Sequence, residues 1–295
     1  MKPAYGLYND GGIVAKAARK CQWLSLSDAL RAFALCEGGT QSAAHIRPLH
    51  WYVGCRLVIE GGFHPEEITP RPPLLVIPRS GGRCLEWNAS AGGTGERTIL
   101  GGLKTKAVDV VVTKEGIGPV LAVSMKGTLN AFRNLTNRME EAVGDCTNLH
   151  IAYPALVYGF FHVIRANRQQ RGTPPNDVAL NADGSVTEAI SRYHDVLARL
   201  ADRKDVRADA TKYEAIALAL VSSDKASAGQ VVRAFPKAES PLLLRDFFSK
   251  LYRQYDERFV YAAPALESVT RRVEWQLDSP VAADARLAGY AARLS

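Results

Sequence analysis

Apolar and polar residues alternate along this chain in patterns that change character several times. Residues 13–37 carry apolar positions at helical spacing and are expected to form a helix in two pieces. The second piece, DALRAFALCE, is capped by Ser27-Asp28 and ended by Gly38-Gly39. Another helix is expected to begin near Pro48, which lacks an N–H that a first turn does not need, and to stop at Gly61-Gly62. Leu49, Val53 and Leu57 form its apolar stripe, and Tyr52, Arg56 and Glu60 lie on a neighbouring face. PRPPLLVIPRSGG (70–82) reads as an edge strand or extended loop because prolines bound its apolar run. SAGGTGERT (90–98) reads as a loop, since it lacks the Lys-Ser/Thr of a phosphate-binding turn.

From residue 106 the apolar positions become nearly continuous. AVDVVV and VLAVSM read as two strands joined by a Gly/Pro turn. A helix from about Leu129 follows, with Leu129, Phe132, Leu135, Met139 and Val143 facing the sheet. HIAYPALVYGFFHVI supplies the next strand, with Pro154 marking a bend or an exposed start. GTPPND and NADGS are polar loops. Beyond them VTEAISRYHDVLARLADRK is an amphipathic helix, and TKYEAIALALV is compatible with helix or strand. SPLLLRDFFSKLYRQYDERF is a capped amphipathic helix. The expected class is α/β (α+β): one domain over 1–295, with N-terminal helices in 1–62, a core in 99–166 and a mainly helical part in 185–295.

Composition narrows this picture slightly. At 47% hydrophobic and 23% charged, the chain has the make-up of an ordinary globular protein, and no apolar run approaches the ~20 residues of a membrane span. The N-terminus lacks the pattern of a signal peptide, so a cytoplasmic location is expected. Five scattered cysteines without a CxxC pair read as buried thiols. The net charge of +7 suits a phosphate-rich partner, and Arg133, Arg138, Arg165, Arg168 and Arg171 crowd near the apolar strands.

The chemistry centres on Asp109 in AVDVVV and Lys126 in LAVSMKG. Strands hold side chains rigidly. An Asp on one strand and a Lys ending the next can hold a divalent metal and a water beside a phosphate.

The block from Lys106 to Glu141 resembles the PD-(D/E)XK nuclease superfamily, in which an Asp and then Glu/Asp-x-Lys line the end of a hairpin. Ser124 stands here two residues before the lysine, as in the type II restriction endonucleases that cut sites with a CCGG core. That branch recovers the missing carboxylate from a Glu fourteen residues after the lysine, the place of Glu140; Glu141 is its rival. Thr128, Arg133 and Arg138 also stand at the branch's offsets.

The resemblance implies a restriction-endonuclease-like core, a mixed central β-sheet flanked by helices. It also implies a Mg²⁺-dependent type II restriction endonuclease acting on double-stranded DNA as a homodimer or homotetramer; the alternative expectations are a repair or defence nuclease that recognises DNA structure or modification, and a non-catalytic DNA-binding protein on a nuclease scaffold. Asp109 and Glu140 would bind metal, Lys126 would position the water, and Ser124 and Glu60 would complete the catalytic set. Arg133, Arg138, Asn130 and Thr128 would contact DNA. Asn130 and Phe132 stand where the branch reads its CCGG core with Arg and Asp, so a different target is expected. Val108 replaces the Pro before the Asp. Glu86 is a weaker candidate for the accessory acid, and His150 and His162 read as packed histidines.

Overall fold

The structure, a computed structural model, describes residues 20–37, 43–207 and 209–295. In chain order the first elements are helices α1 (Leu26–Ala34) and α2 (Arg47–Ile59), then strands β1 (Ile68–Thr69), β2 (Leu74–Arg79) and β3 (Gly82–Trp87). Strands β4 (Arg97–Leu100), β5 (Thr105–Val108), β6 (Val110–Lys114) and β7 (Gly118–Thr128) lead to helix α3 (Leu135–Ala152). Strand β8 (Val157–Arg165), helix α4 (Glu188–Leu200), strand β9 (Ala215–Val221) and helix α5 (Leu244–Tyr255) follow.

Five strands form a mixed sheet in the order β1-β6-β7-β8-β9. The β1–β6 and β6–β7 pairs are antiparallel, while β8 lies parallel to β7 and β9 parallel to β8. Helix α3 is the crossover that a parallel β7–β8 pair requires. Two antiparallel two-stranded arms, β2–β3 and β4–β5, stand outside this sheet. One face of the sheet packs Val110, Val123, Phe161 and Ala217 against α1, α2 and α5. The other packs Val111, Ala122, Tyr158 and Ile216 against α3 and α4. The class is therefore mixed α/β, with a mixed central sheet flanked by helices.

Burial on both faces explains the continuous apolar composition of the inner strands. Every residue of β9 is buried, which settles AIALALV as a strand. The expected mainly helical stretch after residue 185 is thus only partly helical. After a short π-helical turn at Asp256–Tyr261, the chain continues mostly as loop and short turns. That segment returns to α2, where Trp275 Nε1 donates to Val58 O at 2.9 Å and Arg293 N donates to Ile59 O at 2.9 Å.

Several expected boundaries move. Residues 13–19 and Gly38-Gly39 lie outside the described residues, and 20–25 are not helical. α1 begins two residues earlier than expected, because Ser25 Oγ accepts from Asp28 N at 3.1 Å. His150, Ile151 and Ala152 belong to the end of α3 rather than to a strand, and β8 starts only after Pro154. Leu129 packs on the α2 face, so it is not part of the apolar stripe of α3. Ser240 does not cap α5, which begins at Leu244; its Oγ accepts from Leu242 N instead. The five cysteines are free thiols, four buried and Cys36 half-buried.

Candidate functional site

Asp109 sits between β5 and β6, where the β4–β5 arm parts from the central sheet. Its flanking residues, Val108 and Val110, are fully buried, so the backbone position is held by packing on both sides. The register of β6 on β7 begins at Val110↔Val123. Past that point the Met125 N–H donates to Asp109 Oδ2 at 2.6 Å. A buried amide needs an acceptor, and here a side chain supplies it. The other carboxylate oxygen, Oδ1, lies 3.5 Å from His50 Nε2, which α2 brings across one face of the sheet. Glu96, exposed on the loop before β4, faces the same point. One ligand atom from each of His50, Glu96 and Asp109 lies within 4.8 Å of the others.

His50 is buried, and its Nε2 makes no hydrogen bond among the described residues. Burial lowers its pKa below the usual histidine value, against the pull of Asp109 and Glu96, which favours the neutral imidazole. A neutral imidazole beside two carboxylates is a group whose donor atoms could hold a metal ion.

Lys126 follows Met125 directly and points to the opposite face, toward α3. Its Nζ donates to Glu141 Oε1 at 2.7 Å, and Arg138 donates to Glu141 Oε2 at 2.6 Å. Burial alone would raise the pKa of Glu141, but Lys126 and then Arg138 outweigh it and hold the carboxyl at about 2. One turn along α3, Asp145 pairs with Lys106 at 2.5 Å. Both carboxylates on this side of α3 therefore already face a lysine. Ser124, two residues before Lys126 on the same face, shares a 2.6 Å hydrogen bond with the Tyr158 hydroxyl. Thr128 Oγ1 is 2.9 Å from His162 Nε2, and His162 Nδ1 is 2.5 Å from the Tyr193 hydroxyl. Burial pushes His162 down to about 3, with Arg138 and Lys126 adding to the effect.

No family model, curated protein or solved structure matches this chain. Among the described residues, no helix is long and apolar enough to cross a membrane.

Asp109 and Lys126 stand on either side of Met125, and Ser124 and Thr128 line the Lys126 face. Glu140 is exposed on α3, and its neighbour Glu141 takes the inward position. Glu60 is not brought to Asp109. It is buried at the far end of α2, about 15 Å along the helix from His50 at 1.5 Å per residue. There it pairs with Arg56 at 2.5 Å and accepts from Ala291 N at 2.6 Å. Glu86 is exposed on β3.

Asn130 and Arg133 are exposed on the turn between β7 and α3, whereas Phe132 is buried and inaccessible to a base edge. Arg165 donates to Asn167 and to Cys36 O, and Arg168 reaches Ala182 O. His150 and His162 are both buried, as packed histidines are. Sequence reasoning missed His50 and Glu96. They are separated by 46 positions, one in an apolar helix and one in a glycine-rich loop, so no spacing motif marks them.

Proposed function

We propose that this chain is a metal-dependent nuclease that hydrolyses phosphodiester bonds of double-stranded DNA in the manner of a type II restriction endonuclease. One observation carries the reading. Asp109 is fixed by the amide of Met125, immediately before Lys126, and His50 and Glu96 close on it from a helix and a loop. The hairpin β6–β7, the crossover helix and the parallel strand β8 agree with the restriction-endonuclease-like core that the sequence resemblance implies.

The unbonded Nε2 of His50 and the paired carboxylates fit a divalent cation. Asp109, Glu96 and His50 would hold it, and it would supply positive charge to the phosphate and acidify an attacking water. The chain's own groups do the rest. Lys126 has three ammonium donors, of which Glu141 takes one; the others are available to a phosphate oxygen or to water. Glu141, itself held by Arg138, holds the Lys126 ammonium at α3. Arg133 and Asn130 are exposed beside this face and are suited to contact the DNA backbone and an adenine edge, respectively. Ser124 carries no charge and orients Tyr158. Two copies related by a two-fold axis would match the two strands of a palindromic site.

The test is cleavage of phage and plasmid DNA by purified protein with Mg²⁺ and with Mn²⁺. Discrete fragments are expected, with Asp109→Ala and Lys126→Ala inactive. Smears would refute sequence-specific cutting. Salt-sensitive binding without hydrolysis under either metal would refute the nuclease reading altogether.

A further inference from the structure

We infer that the cation site at Asp109 is a mixed nitrogen–oxygen site, with His50 as a ligand, and that it selects a first-row transition divalent such as Mn²⁺ over Mg²⁺. The inference deepens the reading of the same site given above, and its metal-binding test stands whether or not DNA is cut.

The side chain of His50 is 5% exposed, and its Nε2 makes no hydrogen bond among the described residues although Asp109 Oδ1 is 3.5 Å away. An imidazole nitrogen buried without a partner costs free energy unless something else occupies its lone pair or its N–H. It points to the place where two carboxylates of opposite accessibility meet. Asp109 is half-buried and fixed through Oδ2, while Glu96 is exposed on a loop and free to adjust.

Ligands about 2.1 Å from one ion lie at most about 4.2 Å from each other. Donor atoms already within 4.8 Å therefore need only a small closing movement, and Glu96 is placed to make it. The exposed position of Glu96 also leaves an open side for entry of a cation and a substrate oxygen.

The donor chemistry decides the metal. Mg²⁺ takes oxygen ligands in near-octahedral geometry and keeps several waters, and a buried imidazole offers it little. Imidazole suits first-row transition ions, and carboxylates suit Mn²⁺ as well. The helix carboxylate that the sequence resemblance makes a metal ligand is otherwise engaged here. Glu141 has one oxygen on Lys126 and the other on Arg138, and Glu140 faces solvent. The ligands therefore come from α2 and the loop before β4 rather than from α3.

Isothermal titration of the 295-residue chain with Mn²⁺ and with Mg²⁺ tests the selectivity, and pulsed electron paramagnetic resonance of the Mn²⁺-loaded protein tests the nitrogen directly. Mn²⁺ is expected to bind at least ten-fold more tightly than Mg²⁺, with imidazole nitrogen modulation in the spectrum. His50→Gln should abolish the modulation and reduce the Mn²⁺ preference about ten-fold. Asp109→Asn should remove binding, and Glu141→Gln should leave Mn²⁺ affinity within about three-fold. The wild-type spectrum decides the point even if His50→Gln fails to fold. No Mn²⁺ binding at millimolar concentration, a spectrum without nitrogen, or a ten-fold loss on Glu141→Gln would overturn the inference. Nitrogen-liganded Mn²⁺ in a protein that cuts no DNA would uphold it and remove only the nuclease reading.

Discussion

Replacing Glu141 by Gln isolates the electrostatics that hold Lys126 in place. Gln keeps the shape of the side chain but removes the charge that accepts from Lys126 and Arg138 at 2.7 and 2.6 Å. The carboxyl titrates at about 2 in the folded chain against 4.5 for an unperturbed glutamate. At about 1.4 kcal/mol per pKa unit that difference is an upper bound of about 3.5 kcal/mol. The Glu141 side chain is 32% exposed, so solvent screening reduces the stabilisation to about 1–2 kcal/mol.

The sign follows from linkage. Because the folded pKa is the lower one, the contribution is complete above pH 4.5 and is lost as pH falls through about 2. At pH 3 about two-fifths of it remains. Urea unfolding of wild type and Glu141→Gln at pH 7, 5 and 3 reads this directly. The stability gap should be about 1–2 kcal/mol at the first two values and should shrink by more than half at the third. It should also narrow in 1 M salt, where the Debye length is about 3 Å. A gap that is absent at pH 7, or that stays constant down to pH 3, would refute the reasoning.

Three other perturbations probe the rest of the fold. His162 titrates at about 3 when folded against 6.5 unperturbed, so wild type should lose stability as pH falls below 6.5, by about 1.4 kcal/mol at pH 5.5. In His162→Gln that slope should flatten, and unfolding curves at pH 7.5 and 5.5 that shift equally in both proteins would refute the assignment. Glu214→Gln leaves the buried Arg203 and its neighbour Arg258 without their shared carboxylate. A loss of about 3–5 kcal/mol is expected by urea unfolding, and a loss below about 1 kcal/mol would show that water or rearrangement reaches this interior. Gly159→Ala places a methyl 2.8 Å from Phe247 Cζ, which should cost about 1–3 kcal/mol. Adding Phe247→Leu should recover part of that loss, and strictly additive effects would count against the contact.

Local pattern was enough to anticipate much of this architecture. The apolar runs around Asp109 and Lys126, the Gly/Pro turn between them and the amphipathic segment after Thr128 became hairpin, crossover helix and parallel strand, because strand and helix periods are written in consecutive residues. Boundaries were less legible. Ser25 rather than Ser27 caps α1, and α3 runs on through His150, since a cap or a helix end depends on which backbone groups find partners. The identity of AIALALV as a strand was also undecided locally. An all-apolar stretch fits either period until burial on both faces of a sheet selects one.

At the site the same division holds. Asp109 and Met125 lie on the two arms of one hairpin, so the meeting of the Asp109 carboxylate with the Met125 amide is a short-range property that local pattern conveys. Which glutamate turns inward was not. Positions 140 and 141 differ by about 100° around a helix, and only the docking of α3 on β7 put Glu141 against Lys126 and left Glu140 in solvent. His50 and Glu96 belong wholly to the tertiary structure. They come from a helix and a loop 46 residues apart, and they meet Asp109 because α2 packs across the sheet where the β4–β5 arm leaves it. A chain can specify such a meeting only through the packing of everything in between, which is why no pattern in consecutive residues records it.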